Sequence, residues 1–226
     1  MGKPGTGKST QAGLVSKKYG VPHISGGELL REEVKKGTAL GARIKEIIGR
    51  GGLVTEELGS AVLLDLVEKK LKSLDCSKGF ILDGIPRTIE SAADLDVLLR
   101  KHNAELNLVV NLELSDQFLL DRLKYRLTCN ACGATYNLVT KPPKRDGKCD
   151  SCHGSLGTRI GDSEIRVMQA RIRKYNAVIK PILDYYFRTG KLRTVDLSSV
   201  PQKKSVNQTQ KAIRKHISDA RRGKSR

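Results

Sequence analysis

The chain has 226 residues, 38% of them hydrophobic and 4% aromatic, with no tryptophan. That is enough for one medium domain, or one domain carrying a smaller insert. No apolar run approaches the ~20 residues that cross a bilayer, and the chain opens in a glycine-rich loop rather than a secretory signal. A cytoplasmic protein without membrane contact is therefore expected, or an organellar one where a targeting segment lies upstream. The formal net charge of +18 attracts polyanions, nucleotides and nucleic acids among them.

Residues 2–9, Gly2-Lys3-Pro4-Gly5-Thr6-Gly7-Lys8-Ser9, fit the pattern G-x-x-x-x-G-K-[ST]. The glycines let backbone N–H groups converge on phosphate oxygens. Lys8 sets a point charge on the β- and γ-phosphates, and the Ser9 hydroxyl can ligate Mg²⁺. Lys8 to Tyr19 reads as a helix with Ala12, Leu14 and Val15 as its apolar residues, and its positive end adds to the same site. Such a loop joins a buried strand to a helix, yet only Met1 precedes Gly2. Three explanations stand: a start placed at an internal methionine, which is favoured; a truncation; or another segment replacing the strand. A chain lacking that strand is expected to be poorly stable or inactive.

Short Val21-Pro22-His23-Ile24 leads into helical segments up to Gly49. Thr55–Lys72 carries Leu58, Val62, Leu66 and Leu71 at helical spacing and reads as one helix. Leu58 bars a full capping box from Thr55, while Glu56 and Glu57 suit a first helical turn. Phe80–Leu82 and Leu106–Leu112 read as buried strands of a parallel sheet, with Leu192–Leu197 as the last strand. Ile165–Arg188 and Val206–Ala220 read as helices. The alternation predicts an α/β fold, a parallel sheet flanked by helices in the manner of P-loop NTPases.

Phe80–Arg87 is an apolar strand ending in Asp83, where a Mg²⁺-linked carboxylate belongs in such a sheet; a turn or helix-cap role is the alternative. Gly84 and Pro86 specify a turn that aims Arg87. Transfer between two nucleotides gathers many negative oxygens and needs several guanidiniums. Arg31, Arg87, Arg122, Arg126, Arg159 and Arg171 lie near loop or insert boundaries. Each alone reads as a surface residue; together with the motifs they read as a phosphate-binding set.

Between Leu127 and Thr158 the pattern breaks into glycines, Pro142-Pro143 and four cysteines. Cys129-x2-Cys132 and Cys149-x2-Cys152 stand sixteen residues apart, a zinc-ribbon spacing. Four thiolates leave no open position, so the metal is structural, zinc before iron, and staples an insert too small to build its own core. A redox pair is disfavoured, and Cys76 reads as a packing residue. From Lys203 to Arg226, nine Lys/Arg face a single acid, Asp219. The tail reads as a solvated helix end, and nucleic acid could bind only there.

In combination these motifs resemble the adenylate kinases, nucleoside monophosphate kinases of the zinc-lid type. Gly2–Ala12 is similar to that family's Gly-x-Pro-Gly-x-Gly-Lys-Gly-Thr-Gln-Ala loop, with Ser9 where glycine is usual. His23–Arg31 is similar to its Ile-Ser-Thr-Gly-Asp-x-Leu-Arg segment. Gly52-Leu53-Val54, Phe80–Arg87, Asp121-Arg122, Arg126 and Arg171-x-x-x-Tyr175 follow, so the resemblance covers roughly residues 2–197.

The resemblance implies a core of residues 1–126 and 159–226, acceptor helices over about 25–54, and an inserted zinc lid at 127–158. It implies that Gly5, Thr6, Gly7, Lys8, Ser9 and Thr10 hold ATP phosphates, with Thr135 and Tyr136 at the donor base. Arg31 and Arg87 would bind the acceptor α-phosphate, in a site lined by Gly26, Gly52, Leu53, Val54, Gly84, Ile85, Pro86 and Ser91. Arg122, Arg126, Arg159 and Arg171 would close over the transfer centre, and Asp83 would orient Mg²⁺-bound water. Lid closure would expel water and protect the γ-phosphate.

Gly26 stands where the family has threonine, and Ser91 where a glutamine reads adenine. The acidic pair after the lid is reduced to Gly161-Asp162 or Asp162-Ser163, which weakens the case for Arg159. The expectation is a monomeric, Mg²⁺-dependent ATP:AMP phosphotransferase with structural Zn²⁺. The alternatives are a kinase for another base, a truncated inactive relative, and a zinc-ribbon nucleic-acid binder.

Overall fold

The computed structural model describes residues 1–158, 165–198 and 205–223. Arg159, Gly161, Asp162 and Ser163, and in the tail Lys203, Lys204, Lys224 and Arg226, lie outside the described residues.

Helix α1 (Lys8–Tyr19) ends where Gly20 turns left-handed and returns its N–H to the Ser16 carbonyl. Strand β1 (His23–Ser25) leads into α2 (Gly26–Lys35) and α3 (Ala39–Gly49), the latter capped by Thr38, whose hydroxyl accepts from the Gly41 N–H at 3.0 Å. The single helix expected from Thr55 is two: α4 (Val54–Glu57) and α5 (Ser60–Ser73). Gly59 sits at φ 84°, which no helix accommodates, so the apolar period continues across a broken backbone.

Strand β2 (Ile81–Asp83) precedes α6 (Ile89–Lys101), β3 (Val109–Glu113) and α7 (Asp116–Lys124). The insert contributes β4 (Arg126–Cys129), β5 (Thr135–Asn137) and β6 (Leu156–Gly157), all antiparallel around β4. Its sheet thus begins at Arg126, one residue before the break in pattern. The chain closes with α8 (Ile165–Arg188), β7 (Leu192–Asp196) and α9 (Ser205–Gly223).

The expected parallel sheet is present as two parallel pairs. β1 runs beside β2, with His23 opposite Ile81 and Ser25 opposite Asp83. β3 runs beside β7, from Val109 opposite Leu192 to Glu113 opposite Asp196. Met1 and Gly2 lie against β3. Gly2 makes a parallel bridge to Leu112, the Leu112 N–H donates to the Met1 carbonyl at 3.0 Å, and the Met1 amine donates to the Val110 carbonyl.

Each pair has its own core. Ile24, Ile44, Leu63, Val67, Leu95 and Leu99 are buried beside β1 and β2, while Val15, Leu119, Ile172, Val195 and Ile213 are buried around β3 and β7. Fully burying such a side chain contributes about 1.5–3 kcal/mol. Helix α9 turns Ile213 inward and leaves Lys211, Arg214, Lys215 and Arg222 exposed, in keeping with a solvated basic helix. It is fastened to α1 by Gln210, whose Nε2 donates to Gln11 Oε1 at 2.6 Å, and by Arg221 stacked 4.8 Å over the Tyr19 ring.

Candidate active site

The loop before α1 holds its shape through its own backbone. Thr6 Oγ1 donates to the Lys3 carbonyl at 2.9 Å, and Lys8 Nζ donates to the same oxygen at 2.7 Å. Gly5 and Gly7 sit at φ 88° and 89°, a region L side chains avoid; a Cβ on Gly5 would also lie 3.1 Å from Leu123 Cγ. The loop therefore packs directly on α7 and opens at the start of α1.

Across it stands Asp83, at the carboxyl end of β2 and buried, with 6% exposure. Ser9 Oγ donates to Asp83 Oδ2 at 2.5 Å, and His23 Nε2 lies 3.5 Å from that oxygen. Burial works against the Asp83 charge, but His23, Lys8 and Ser9 outweigh it and hold the carboxyl well below its usual range. Lys8 is pushed the other way, down to about 7: burial comes first, Asp83 pulls it back up, and Arg87, Arg171 and Arg126 lower it further.

Those arginines converge from separate elements: Arg87 after β2, Arg126 at the start of β4, Arg171 from α8. Arg31, on α2, is close enough for Arg171 and Asp83 to act on its charge. Burial lowers Arg31, Arg87 and Arg122, and brings Arg171 down to about 10. Guanidiniums keep their proton at such values, so these directions measure first the cost of burying charge. Arg87 is aimed by its own turn, since its Nε donates to the Gly84 carbonyl at 2.9 Å.

Gly5, Thr6, Gly7, Lys8, Ser9, Thr10, Asp83, Gly84, Arg87, Arg122, Arg126, Thr135, Tyr136 and Arg171 all line one cleft. A small adjoining cavity shares Lys8, Gly84 and Arg87 and adds Leu53, Pro86 and Tyr175. Gly52 and Val54 flank Leu53, with Val54 buried. Gly26 is packed against Ile85: a Cβ there would fall 2.8 Å from Ile85 Cγ1. Ser91 faces the backbone of its own helix start. Its hydroxyl donates to the Thr88 carbonyl at 2.8 Å and accepts from the N–H groups of Thr88 and Arg87 at 2.9 and 3.1 Å.

Sequence reasoning missed Asn137, Thr140 and Lys141 of the insert, and Leu197, Val206 and Thr209, which also line the cleft. Leu197 follows β7 at its carboxyl end, where ligands collect in parallel sheets. Thr209, a polar residue 1% exposed on an otherwise amphipathic helix, had no signal in the sequence.

In the insert, the sulfurs of Cys129, Cys132, Cys149 and Cys152 all lie within 4.8 Å of one another, with Cys129–Cys152 at 3.4 Å and Cys132–Cys149 at 3.6 Å. A disulfide needs about 2.05 Å, whereas sulfurs ~2.3 Å from a tetrahedral metal stand at roughly these separations. The Tyr136 hydroxyl lies 3.4 Å from Cys149 Sγ and accepts the Asp150 N–H at 2.7 Å. That hydroxyl, with the N–H groups of Cys152 and Ser151, brings the Cys149 thiol down to about 6. Cys129 is lowered too, while its neighbours' sulfurs push Cys132 up to about 12; four sulfurs gathered this closely fit a soft or borderline cation.

A glycine-rich loop at a helix start, a carboxylate on the neighbouring strand end and a ring of arginines define a P-loop phosphotransferase. The adenylate kinase family model matches residues 1–191, and the chain belongs to that family. It is 45% identical over 196 residues to an adenylate kinase of Archaeoglobus fulgidus, covering 87% of this chain and 88% of the relative. An adenylate kinase of Acetivibrio thermocellus is 43% identical, covering 86% of this chain and 88% of its own. One of Fervidobacterium nodosum is 40% identical over 94% of this chain and 93% of its own.

Proposed function

We propose that the cleft transfers the γ-phosphate of ATP to AMP, reversibly, to give two ADP. The observation that supports this most is the convergence of Lys8, Arg87, Arg126 and Arg171 around Asp83, with Arg31 near enough to feel Arg171 and Asp83. Hydrolysis of one triphosphate needs fewer cations; two nucleotides meeting head to head bring oxygens enough for the whole set.

In this reading the loop N–H groups and Lys8 hold the donor phosphates. Arg31 and Arg87 hold the acceptor α-phosphate, and Arg122, Arg126 and Arg171 stabilise charge on the group in flight. Arg159 is assigned to the same set. Catalysis is positioning and electrostatics, with no covalent intermediate. Ser9 and Asp83 offer hard oxygens 2.5 Å apart that suit Mg²⁺, which would neutralise phosphate charge there. The four cysteines would hold Zn²⁺ as a structural ion that keeps Thr135 and Tyr136 in place. Residues 127–158 act as the lid, residues 25–54 as the acceptor segment, and the enzyme works as a cytoplasmic monomer.

The Ser91 hydroxyl is used in its helix cap and Gly26 carries no side chain, so neither reads the acceptor base; shape around Leu53, Val54 and Ile85 selects it. The test is ADP formation from ATP with AMP, GMP, CMP or UMP. AMP should exceed each of the others at least tenfold in kcat/KM. Turnover of none of the four would refute the reading, and preference for another would reassign the acceptor.

A further inference from the structure

Asn137 closes β5 and lines the cleft, and its side chain is bonded on two sides. Its Oδ1 accepts the Val139 N–H at 3.0 Å, the Thr140 N–H at 2.9 Å and the Thr140 hydroxyl at 3.1 Å. Those bonds fold residues 138–140 into a tight turn, as a short amide side chain does when it accepts from the backbone two residues on. The backbones of Asn137 and Lys141 close the turn with an N–H to carbonyl bond in each direction, at 3.1 and 2.9 Å. The turn sets Thr140 and Lys141 against the same cleft.

The Asn137 Nδ2 points the other way and donates to the Arg122 carbonyl at 3.0 Å, across fifteen positions of sequence. Beside it the Leu138 N–H donates to the Tyr125 carbonyl at 2.9 Å. Both carbonyls belong to the end of α7, where a helix has no N–H of its own to offer them. The same last turn carries the groups that meet the phosphate loop. Arg122 Nη2 lies 3.8 Å from where a Cβ on Gly7 would stand, and Leu123 Cγ lies 3.1 Å from the equivalent point on Gly5. One turn of α7 is thus held between the insert and the loop.

We propose that Asn137 is a positioning residue: it ties the turn of the insert to the last turn of α7 and so holds the Arg122 guanidinium over the phosphate loop. The turn by itself needs only the bonds to Oδ1. The Nδ2 bond adds nothing to the turn; it fixes the carbonyl of the residue whose side chain faces Gly7. This rests on reading the cleft as a triphosphate site, so affinity for MgATP is the readout, whichever acceptor is phosphorylated.

The test measures MgATP affinity by calorimetry on full chains. Asn137→Ala should weaken binding at least about fivefold in the parent, and less than about twofold when Arg122 is already alanine. In an Arg87→Ala background the full loss should persist, because Arg87 is aimed by the Gly84 carbonyl instead. Asn137→Ser keeps a hydroxyl to accept the Val139 N–H but cannot reach Arg122. It should keep the parent's amide exchange at Val139 yet lose as much affinity as the alanine variant. An equal loss with and without Arg122, no loss in the parent, or parent-like affinity in Asn137→Ser would overturn the proposal while the parent still binds MgATP. A parent that binds no MgATP would overturn the triphosphate reading and the proposal with it.

Discussion

Lys8 is the group whose state nucleotide binding should change most. Its pKa of about 7, against an ordinary 10.5, corresponds to roughly 5 kcal/mol of cost for holding a charge there. Asp83 supports the proton, while Arg87, Arg171 and Arg126 oppose it. A bound triphosphate brings several negative charges against the Nζ and should restore a pKa well above 8. The sign follows directly. The nucleotide-free protein carries about 10% protonated Lys8 at pH 8 and about 90% at pH 6, and the complex is fully protonated at both. Binding should therefore take up about 0.9 proton at pH 8 and about 0.1 at pH 6. Above pH 7, affinity should fall close to tenfold per pH unit. Calorimetric titration with MgATP in buffers of different ionisation enthalpy measures this, after subtraction of the nucleotide's own titration. Lys8→Arg, whose guanidinium does not titrate here, should abolish the uptake. Uptake under about 0.2 proton at pH 8 in the parent would refute the reasoning.

Other consequences are independent of that titration. Arg87→Ala should lower kcat/KM by about 10³ or more, and Arg87→Lys should recover little, because the Gly84 carbonyl aims a planar fork, not a point charge. Circular dichroism should show both variants folded. Removing metal with a chelator, or Cys149→Ser, should unfold residues 127–158 and cut activity while α1 and β3 keep their amide protection; an unchanged melting curve would argue against a stapled lid. Gly26→Ala should destabilise by about 1–3 kcal/mol, because its Cβ meets Ile85 at 2.8 Å, and Ile85→Val should relieve part of that in a double-mutant cycle. Leu99→Ala, in the core beside β1 and β2, should cost about 2–5 kcal/mol by urea unfolding.

The gathering of the site's residues was legible because short motifs fix both residue types and spacing. The loop, Asp83, Arg87 and the cysteine pairs arrive where their motifs place them. The span of the first helix, Lys8 to Tyr19, was legible too. The break at Gly59 was not, since the apolar period runs on across it and only the backbone angle stops the helix. Ser91 looked like a ligand position by alignment with a motif, yet its hydroxyl turns to its own helix cap, a choice made by local backbone geometry. The contribution of α9 to the cleft depends on the Gln11–Gln210 pairing across 199 positions, which no local pattern carries. The sheet was foreseen as parallel, and it is present as two parallel pairs.

The central claim is direct transfer between two bound nucleotides. It is tested most simply by following ATP with and without AMP by phosphorus NMR. The account predicts two ADP formed for each ATP consumed, only when AMP is present, with no inorganic phosphate released. Phosphate release at the same rate with or without AMP would contradict it and leave a nucleotide hydrolase in its place.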